Sequence, residues 1–202
     1  MEKVFTDIYI NNGFDPNYKS GLGASYEQAK YIIKEIPKMI KLYDIKTVFD
    51  CPCGDFNWMK YIYRKFDKYI GADIVKELVL DNIRHYPGIK FVHFDILHNK
   101  IPKCDLILCR DLFVHFKFAE SVQAFRNIKR SGCKFLLMTT FTGRGVNEER
   151  DNTGDWRTVN FQIEPYNFPP PLFVINEQCT EFGGQFIDKC LALWNIKDIP
   201  DF

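Results

Sequence analysis

The sequence carries no surplus of charge of either sign: 27 Lys and Arg stand against 26 Asp and Glu, for a formal net charge of +1. A balanced chain has no electrostatic reason to seek a polyanion, so nucleic acid is not an expected partner. Long apolar runs are also missing, and none approaches the roughly 20 residues that cross a bilayer, so no membrane span is expected. The N-terminus "MEKVFTDIYI" has neither a basic start nor an extended apolar stretch, which argues against a secretory leader and for a cytoplasmic protein. Repeats and low-complexity tracts are absent. The seven cysteines are odd in number and scattered through apolar segments such as "CDLILC", which suits reduced thiols better than a disulfide framework. Metal-ligand spacing is lacking too. Cys51 and Cys53 are separated by one residue where zinc pairs prefer two to four, and no second pair accompanies them, so both thiols are expected to be packed and no metal is expected.

What is present is a chain of 202 residues rich in aromatics, with 19 Phe and 10 Tyr, long enough for one domain over 1–202. Residues 1–24 are polar and turn-rich ("NNGFDPNYKSGLG") and read as a lid-like loop. Ser25 is a good N-cap for a helix carrying Ile32, Ile33, Ile36, Met39, Ile40 and Leu42 at helical spacing. "KTVFD" reads as a strand, "FNWMKYIYRKF" as a helix, "KYIGAD" as a strand, "VKELVLDNIRHY" as a helix and "IKFVHFD" as a strand. "CDLILCRD" then reads as a strand buried on both faces, followed by a helix around "AESVQAFRNIKR" and the strand "KFLLMTTF". Alternation of strands with helices of this length predicts right-handed crossovers and an α/β fold with a mostly parallel sheet. Residues 142–182 form a long polar region expected to be functional. "NFPPPLFVINE" and "CLALWNI" end the chain as a hairpin-like pair, the latter expected at the sheet edge.

Open parallel sheets bind ligands at the carboxyl ends of their strands. Asp50 ends the first predicted strand, Gly54 permits a close turn, and a helix starting near Asp55 would aim free N–H groups into the same crevice. Asp73 ends the second strand about 20 residues on, where an acid can take both hydroxyls of a ribose, and Asp95 ends the third. For Asp50 the alternative is a helix-capping acid at a strand end, and for Asp95 an acid that merely ends its strand. A crevice of this kind would serve NAD or S-adenosylmethionine (SAM). Yet "DCPCGDF" offers a single glycine and an added acid, unfavourable beside a diphosphate and favourable beside a sulfonium.

"VFDCPCGDFNW" resembles the first motif of class I SAM-dependent methyltransferases, "YIGADI" their ribose-binding acid, "FVHFDI" their adenine-side acid and "CDLILCRDLFVHF" their fourth-strand motif. The resemblance implies a Rossmann-like, seven-stranded, mostly parallel sheet with helices on both faces, and SAM held by Asp50, Pro52, Cys53, Gly54, Asn57 and Trp58, by Asp73 and Ile74, by Asp95 and Ile96, and by Arg110 and Asp111. Gly21, Gly23, Ser25 and Gln28 would close over its methionine end. "GDWR", "NFPPPL", "INE" and "DKCLALW" further resemble a small subgroup that accompanies glycosyltransferases in the glycan-building proteins of chlorella viruses. That likeness implies O-methylation of a sugar, such as a rhamnose, on a glycan or nucleotide-sugar acceptor, in the host cytoplasm if the chain is viral, by a domain fused to or acting with glycosyltransferases. Pro52 and Phe56 depart from the family, which has glycine at both places.

A sugar hydroxyl needs a base within hydrogen-bond reach. Asp111 and His115 beyond the fourth strand and Asp155 in the long loop are the candidates. Trp156, Arg157 and Asn160 are the candidate acceptor contacts, through ring stacking and hydrogen bonds to hydroxyls. The alternatives are a methyltransferase of a small metabolite or protein side chain, a nicotinamide oxidoreductase, and a cofactor-binding module without catalysis.

Overall fold

The computed structural model describes residues 1–15 and 18–202. Seven strands form one sheet: β1 (Thr47–Asp50), β2 (Lys68–Asp73), β3 (Lys90–His93), β4 (Leu106–Cys109), β5 (Phe135–Phe141), β6 (Phe173–Asn176) and β7 (Lys189–Asn195). They lie in the order β3-β2-β1-β4-β5-β7-β6. The first five strands pair in parallel, and β7 runs antiparallel to both β5 and β6. Among the described residues four α-helices accompany the sheet: α1 (Glu2–Ile10), α2 (Tyr26–Tyr43), α3 (Lys76–His85) and α4 (Phe118–Arg130).

Both sheet faces are covered, and the pleat explains why the strands read as continuous apolar runs. Leu106 and Leu108 of β4 pack with Ile32, Ile36 and Met39 of α2, whereas Ile107 and Cys109 of the same strand pack with Ala124, Phe125 and Ile128 of α4. Helix α2 begins where expected, the Ser25 hydroxyl accepting the Gln28 N–H. It ends at Asp44 in the left-handed region, at φ 50°.

Three local expectations are corrected. Residues 2–10 form a helix rather than part of a loop, because Phe5, Ile8 and Tyr9 fall on one helical face and pack into the core with Phe116 and His115. Of the loop expected beyond it, residues 16 and 17 lie outside those described. Residues 56–66 form two 3-10 turns, Met59–Tyr61 and Tyr63–Lys65, in place of a helix. Phe56 adopts φ 58° and is fully buried against Tyr63, Tyr69, Tyr86 and Phe91, with ring centroids 4.9–5.4 Å apart. A left-handed residue there breaks the helical start, and this aromatic packing outweighs the 3.6-residue period. The third correction concerns "CLALWNI": it lies in β7, buried between β5 and β6, and the short, partly exposed β6 forms the edge.

Strand order reverses between β1 and β4, so the segments leaving these two strands diverge to opposite sides and open a crevice at their carboxyl ends.

Candidate active site

A cavity of about 640 Å³ occupies that crevice. Its floor is the backbone leaving three strands: Cys51–Gly54 after β1, Asp73–Val75 at the end of β2 and Arg110–Leu112 after β4. Its roof is the inner face of α1 with Phe14 and Gly21–Ala24, and its far wall comes from Gly154, Trp156 and the segment 181–189.

Gly54 sits at the tightest point. Its φ is 52°, and a Cβ there would lie 2.7 Å from the Ser20 hydroxyl, so both conformation and space require glycine. Ser20 Oγ accepts the Asp55 N–H at 2.8 Å, tying the N-terminal segment to the β1 turn. The same turn is fixed from β2, where the Asp73 carboxylate accepts the Gly54 N–H at 3.1 Å and the Val75 N–H at 3.0 Å. Burial lifts Asp73 from the usual carboxylate range to about 6, even though these N–H groups favour its charged form. Asp55 also lines the cavity and is raised by burial.

The opposite end is a buried network of charges. Arg110 bonds Glu177 at 2.6 Å and lies 5.4 Å from the Trp58 ring centroid. Lys189, at the start of β7, bonds Asp111 at 2.8 Å. Thr139 of β5 accepts the Asp111 N–H at 2.8 Å and donates its hydroxyl to the Asp111 carboxylate at 3.2 Å. Burial alone would raise Asp111, but Lys189 and Arg110 outweigh it and hold the carboxyl at about 2. His115 follows on a 3-10 turn, its ring between Phe5 (6.2 Å) and Phe14 (5.0 Å). Its Nδ1 lies 3.1 Å from the carbonyl oxygen of Gly154. A carbonyl can only accept, so Nδ1 carries the proton and Nε2 is the bare nitrogen of the neutral ring. Burial keeps His115 below its ordinary 6.5, so the ring is neutral at pH 7.

Of the residues expected at the site, Gly21, Gly23, Pro52, Cys53, Gly54, Trp58, Asp73, Ile74, Ile96, Arg110, Asp111, His115 and Trp156 line this one cavity. Others lie elsewhere. Asp50 is buried beneath the floor and accepts the Tyr69 hydroxyl at 2.6 Å, its carboxyl raised by burial to about 7. Asp95 caps the turn after β3, accepting the Leu97 N–H at 2.8 Å. Ser25 caps α2, Gln28 bonds Thr180 at 2.9 Å, and Asn57 takes the Lys60 ammonium at 2.8 Å. Asp155 is exposed, accepts a hydrogen bond from Asn152 and is not among the cavity-lining residues, although Gly154 before it bonds His115. Arg157 is 1% exposed: its guanidinium donates to the carbonyls of Glu148 and Phe116 at 2.6 Å and lies over Phe118 at 4.3 Å. Asn160 is likewise buried, bonding the Arg144 carbonyl at 2.8 Å. Both residues brace the long loop.

Several lining residues are not among those expected at the site: Phe5, Ile8 and Tyr9 of α1, Phe14, Ser20, Glu181, Phe182, Phe186 and Lys189. Lys189 falls within the tail motif "DKCLALW", where it opens an otherwise apolar strand. Cys51 and Cys53 are both buried free thiols. No group of three or more His, Cys, Asp or Glu side chains that could hold a metal ion occurs among the described residues. Nor is any described helix long and apolar enough to cross a membrane.

No family model matches the chain. Among curated proteins it is 28% identical over 106 residues to a flagellar hook-length control protein of Buchnera aphidicola subsp. Baizongia pistaciae. That alignment covers 52% of this chain and spans 30% of the relative's length, too little to carry over an activity. Among solved structures, magnesium protoporphyrin IX methyltransferase (ChlM) from Synechocystis PCC 6803 matches in two forms. Its form with bound SAH gives a TM-score of 0.56 at 13% identity, over 72% of this chain and 74% of that one. Its form with bound SAM gives 0.54 at 12% identity, over 73% and 79%. The sugar N-methyltransferase KedS8 from Streptoalloteichus sp ATCC 53650 aligns over 55% of this chain and 47% of its own at 14% identity, with a TM-score of 0.45, a likeness too slight to support a reading. Strand order, the antiparallel β7 and the likeness to ChlM together show that this chain has the Rossmann-like methyltransferase fold.

Proposed function

We propose that the protein is a SAM-dependent O-methyltransferase acting on a sugar hydroxyl, a rhamnose of a glycan, through a single domain over 1–202. The observation that carries the reading is that one cavity joins Asp73, at the end of β2, to His115 and Trp156 beyond β4 and in the long loop. A nucleoside-binding acid and an acceptor-side base thus open on the same space.

The lining suits SAM better than a dinucleotide. Asp15, Asp55, Asp73, Asp111 and Glu181 line the cavity against Lys19, Arg110 and Lys189. This acidic excess attracts a sulfonium and repels a diphosphate. Each Asp73 oxygen accepts one backbone N–H and keeps lone pairs for ribose hydroxyls. Leu78, Phe94 and Ile96 supply the apolar surface an adenine would need. When bound, SAM supplies a methyl group activated by its positive sulfur.

The chain's own residues then have three tasks. His115, neutral and with its Nδ1 proton committed to Gly154, accepts the acceptor's hydroxyl proton at Nε2. Asp111, held charged by Lys189 and Arg110, is too weak a base for that task and instead stabilises the imidazolium that forms. Trp156, 41% exposed and packed on Phe186 at 4.7 Å, offers a ring face to the acceptor. Helix α1 and Phe14 cover the site and exclude water.

The likeness of the tail to the glycosyltransferase-associated subgroup of chlorella viruses supports a glycan or nucleotide-sugar acceptor, glycosyltransferases as partners and a cytoplasmic setting. The test is label transfer from radioactive SAM to rhamnosides, nucleotide sugars, peptides and small metabolites. Label confined to a rhamnoside or nucleotide-rhamnose supports the proposal, and label only in a peptide or metabolite refutes it.

A further inference from the structure

Two cysteines stand in contact at the end of the sheet away from the cavity. Cys104 precedes β4 and Cys133 precedes β5, and their sulfurs lie 3.3 Å apart. Strand register puts them there. β4 pairs with β5 from Leu106 opposite Phe135, and the pairing reaches one step further out, the Phe135 N–H donating to the Asp105 carbonyl at 2.9 Å. Cys104 and Cys133 each stand two residues before that first pair, which sets them side by side. Both pack on the core cluster that holds Ala124, Phe125 and Ile128 of α4. Neighbouring strands run about 4.8 Å apart, inside the roughly 4.4–6.8 Å between Cα atoms that a disulfide spans. Bringing the two sulfurs to bonding distance therefore asks for side-chain rotation and no change of register.

Their surroundings favour reaction. Cys104 is half-buried beside the exposed Lys103, and Cys133 lies between the exposed Gly132 and Lys134, so a small oxidant has a short path to the pair. The Cys104 N–H points at Cys133 Sγ at 3.3 Å, and the Cys104 thiol, the foremost cause, holds Cys133 at about 6, below the ordinary thiol range. The thiolate is the form that attacks an oxidant. The other five thiols are buried, and burial pushes every one of them above the ordinary range.

We infer that Cys104 and Cys133 are a redox couple, which hydrogen peroxide converts to an intramolecular disulfide and a dithiol reduces again, stapling the start of β4 to the start of β5. In the first step one sulfur is oxidised to a sulfenic acid and the peroxide is reduced to water. In the second the neighbouring sulfur attacks the sulfenic sulfur, and its proton leaves with the displaced hydroxyl as water. Two thiols and one hydrogen peroxide thus become one disulfide and two waters. The bond closes a loop that carries β4, the segment from Arg110 to His115 and α4, and so restricts the unfolded chain. Neither cysteine lines the cavity, which opens at the opposite, carboxyl ends of the same strands, so the staple adds stability and leaves cofactor binding as it is. The inference is independent of the sugar reading.

The experiment treats the whole chain with hydrogen peroxide at about one to five equivalents. Free thiols are counted after denaturation, unreduced peptides are mapped by mass spectrometry, and melting temperature and SAH affinity are recorded before and after. The wild type should lose two thiols, found as a cross-linked Cys104–Cys133 peptide two hydrogens lighter than its parts. Its melting temperature should rise by about 5 °C and fall back with dithiothreitol, while SAH affinity stays within twofold. Cys104→Ser and Cys133→Ser should each form no intramolecular disulfide and gain no melting temperature from peroxide. A wild type that keeps all its thiols overturns the couple, as does oxidation that starts at the five buried cysteines or joins separate chains. So does a Cys104–Cys133 bond that lowers the melting temperature or weakens SAH binding tenfold. A chain that forms the bond and gains the stability yet binds no SAH in either state upholds the couple and counts against the cofactor reading, so the two fail separately.

Discussion

Replacing Asp73 by Asn tests the nucleoside end of the cavity. The carboxylate accepts the Gly54 and Val75 N–H groups, and burial raises it from 3.8 to about 6. Holding a buried carboxylate that far above its ordinary range corresponds to about 3 kcal/mol against the charged form. The sign follows: a folded-state value above the unfolded one makes ionised Asp73 destabilising, a cost that grows as pH rises from 3.8 and is complete above about 6. Asn removes that cost but keeps only one good acceptor for the two N–H groups, so the net change in stability at pH 7 should be small. Ligand binding should not be spared. Hydrogen bonds to a charged group contribute about 1.5–3 kcal/mol, so SAH should bind Asp73→Asn roughly 10- to 100-fold more weakly at pH 7.5. In the wild type, affinity should fall as pH drops below about 6 and the carboxyl protonates, while the variant stays flat over the same range. Calorimetric titration with SAH from pH 5 to 8 measures both effects. A folded variant that binds SAH as the wild type does at pH 7.5 would refute the assignment of the ribose to β2. A pH-independent wild type would refute the titration argument.

Three further outcomes follow from other contacts. His115→Gln should reduce kcat by about 10²–10⁴ with SAH affinity intact. Because burial lowers His115 below 6.5, the wild-type kcat should stay level through pH 7 and decline only on the acid side of 6.5; a decline already at pH 7.5 counts against His115 as base. Trp156→Ala, at a 41% exposed position, should raise the acceptor KM about fivefold, near 1 kcal/mol of ring contact, without lowering the melting temperature. Arg157→Met should instead act on stability, by about 2–4 kcal/mol in urea unfolding, because it strands the carbonyls of Glu148 and Phe116. A stable Arg157→Met with a raised acceptor KM would return Arg157 to the acceptor pocket.

Asp73 illustrates what local pattern carries: an acid closing an apolar strand a fixed distance past a glycine turn is set by the βαβ unit itself, so its place in the crevice is legible from residue order alone. The same holds for the parallel strands β1–β5, whose apolar runs alternate with helical periods, and for the Ser25 cap. Asp50 and Asp95 have the same local signature, yet one is buried under Tyr69 and the other caps a turn, because they sit at other heights along the sheet: Asp50 pairs with Gly71, two residues short of Asp73, and Asp95 lies two residues beyond His93, the partner of Asp73. Residues 56–66 escaped the helical period because Phe56 is held left-handed by rings from residues 63, 69, 86 and 91. The far end of the cavity, by contrast, exists only once the sheet is assembled. Gly23, Asp111, Glu181 and Lys189 come from segments up to 166 residues apart and meet because β7 inserts antiparallel beside β5 and carries Lys189 to β4's exit. Charge pairing at such separations is fixed by strand order, which no periodicity encodes.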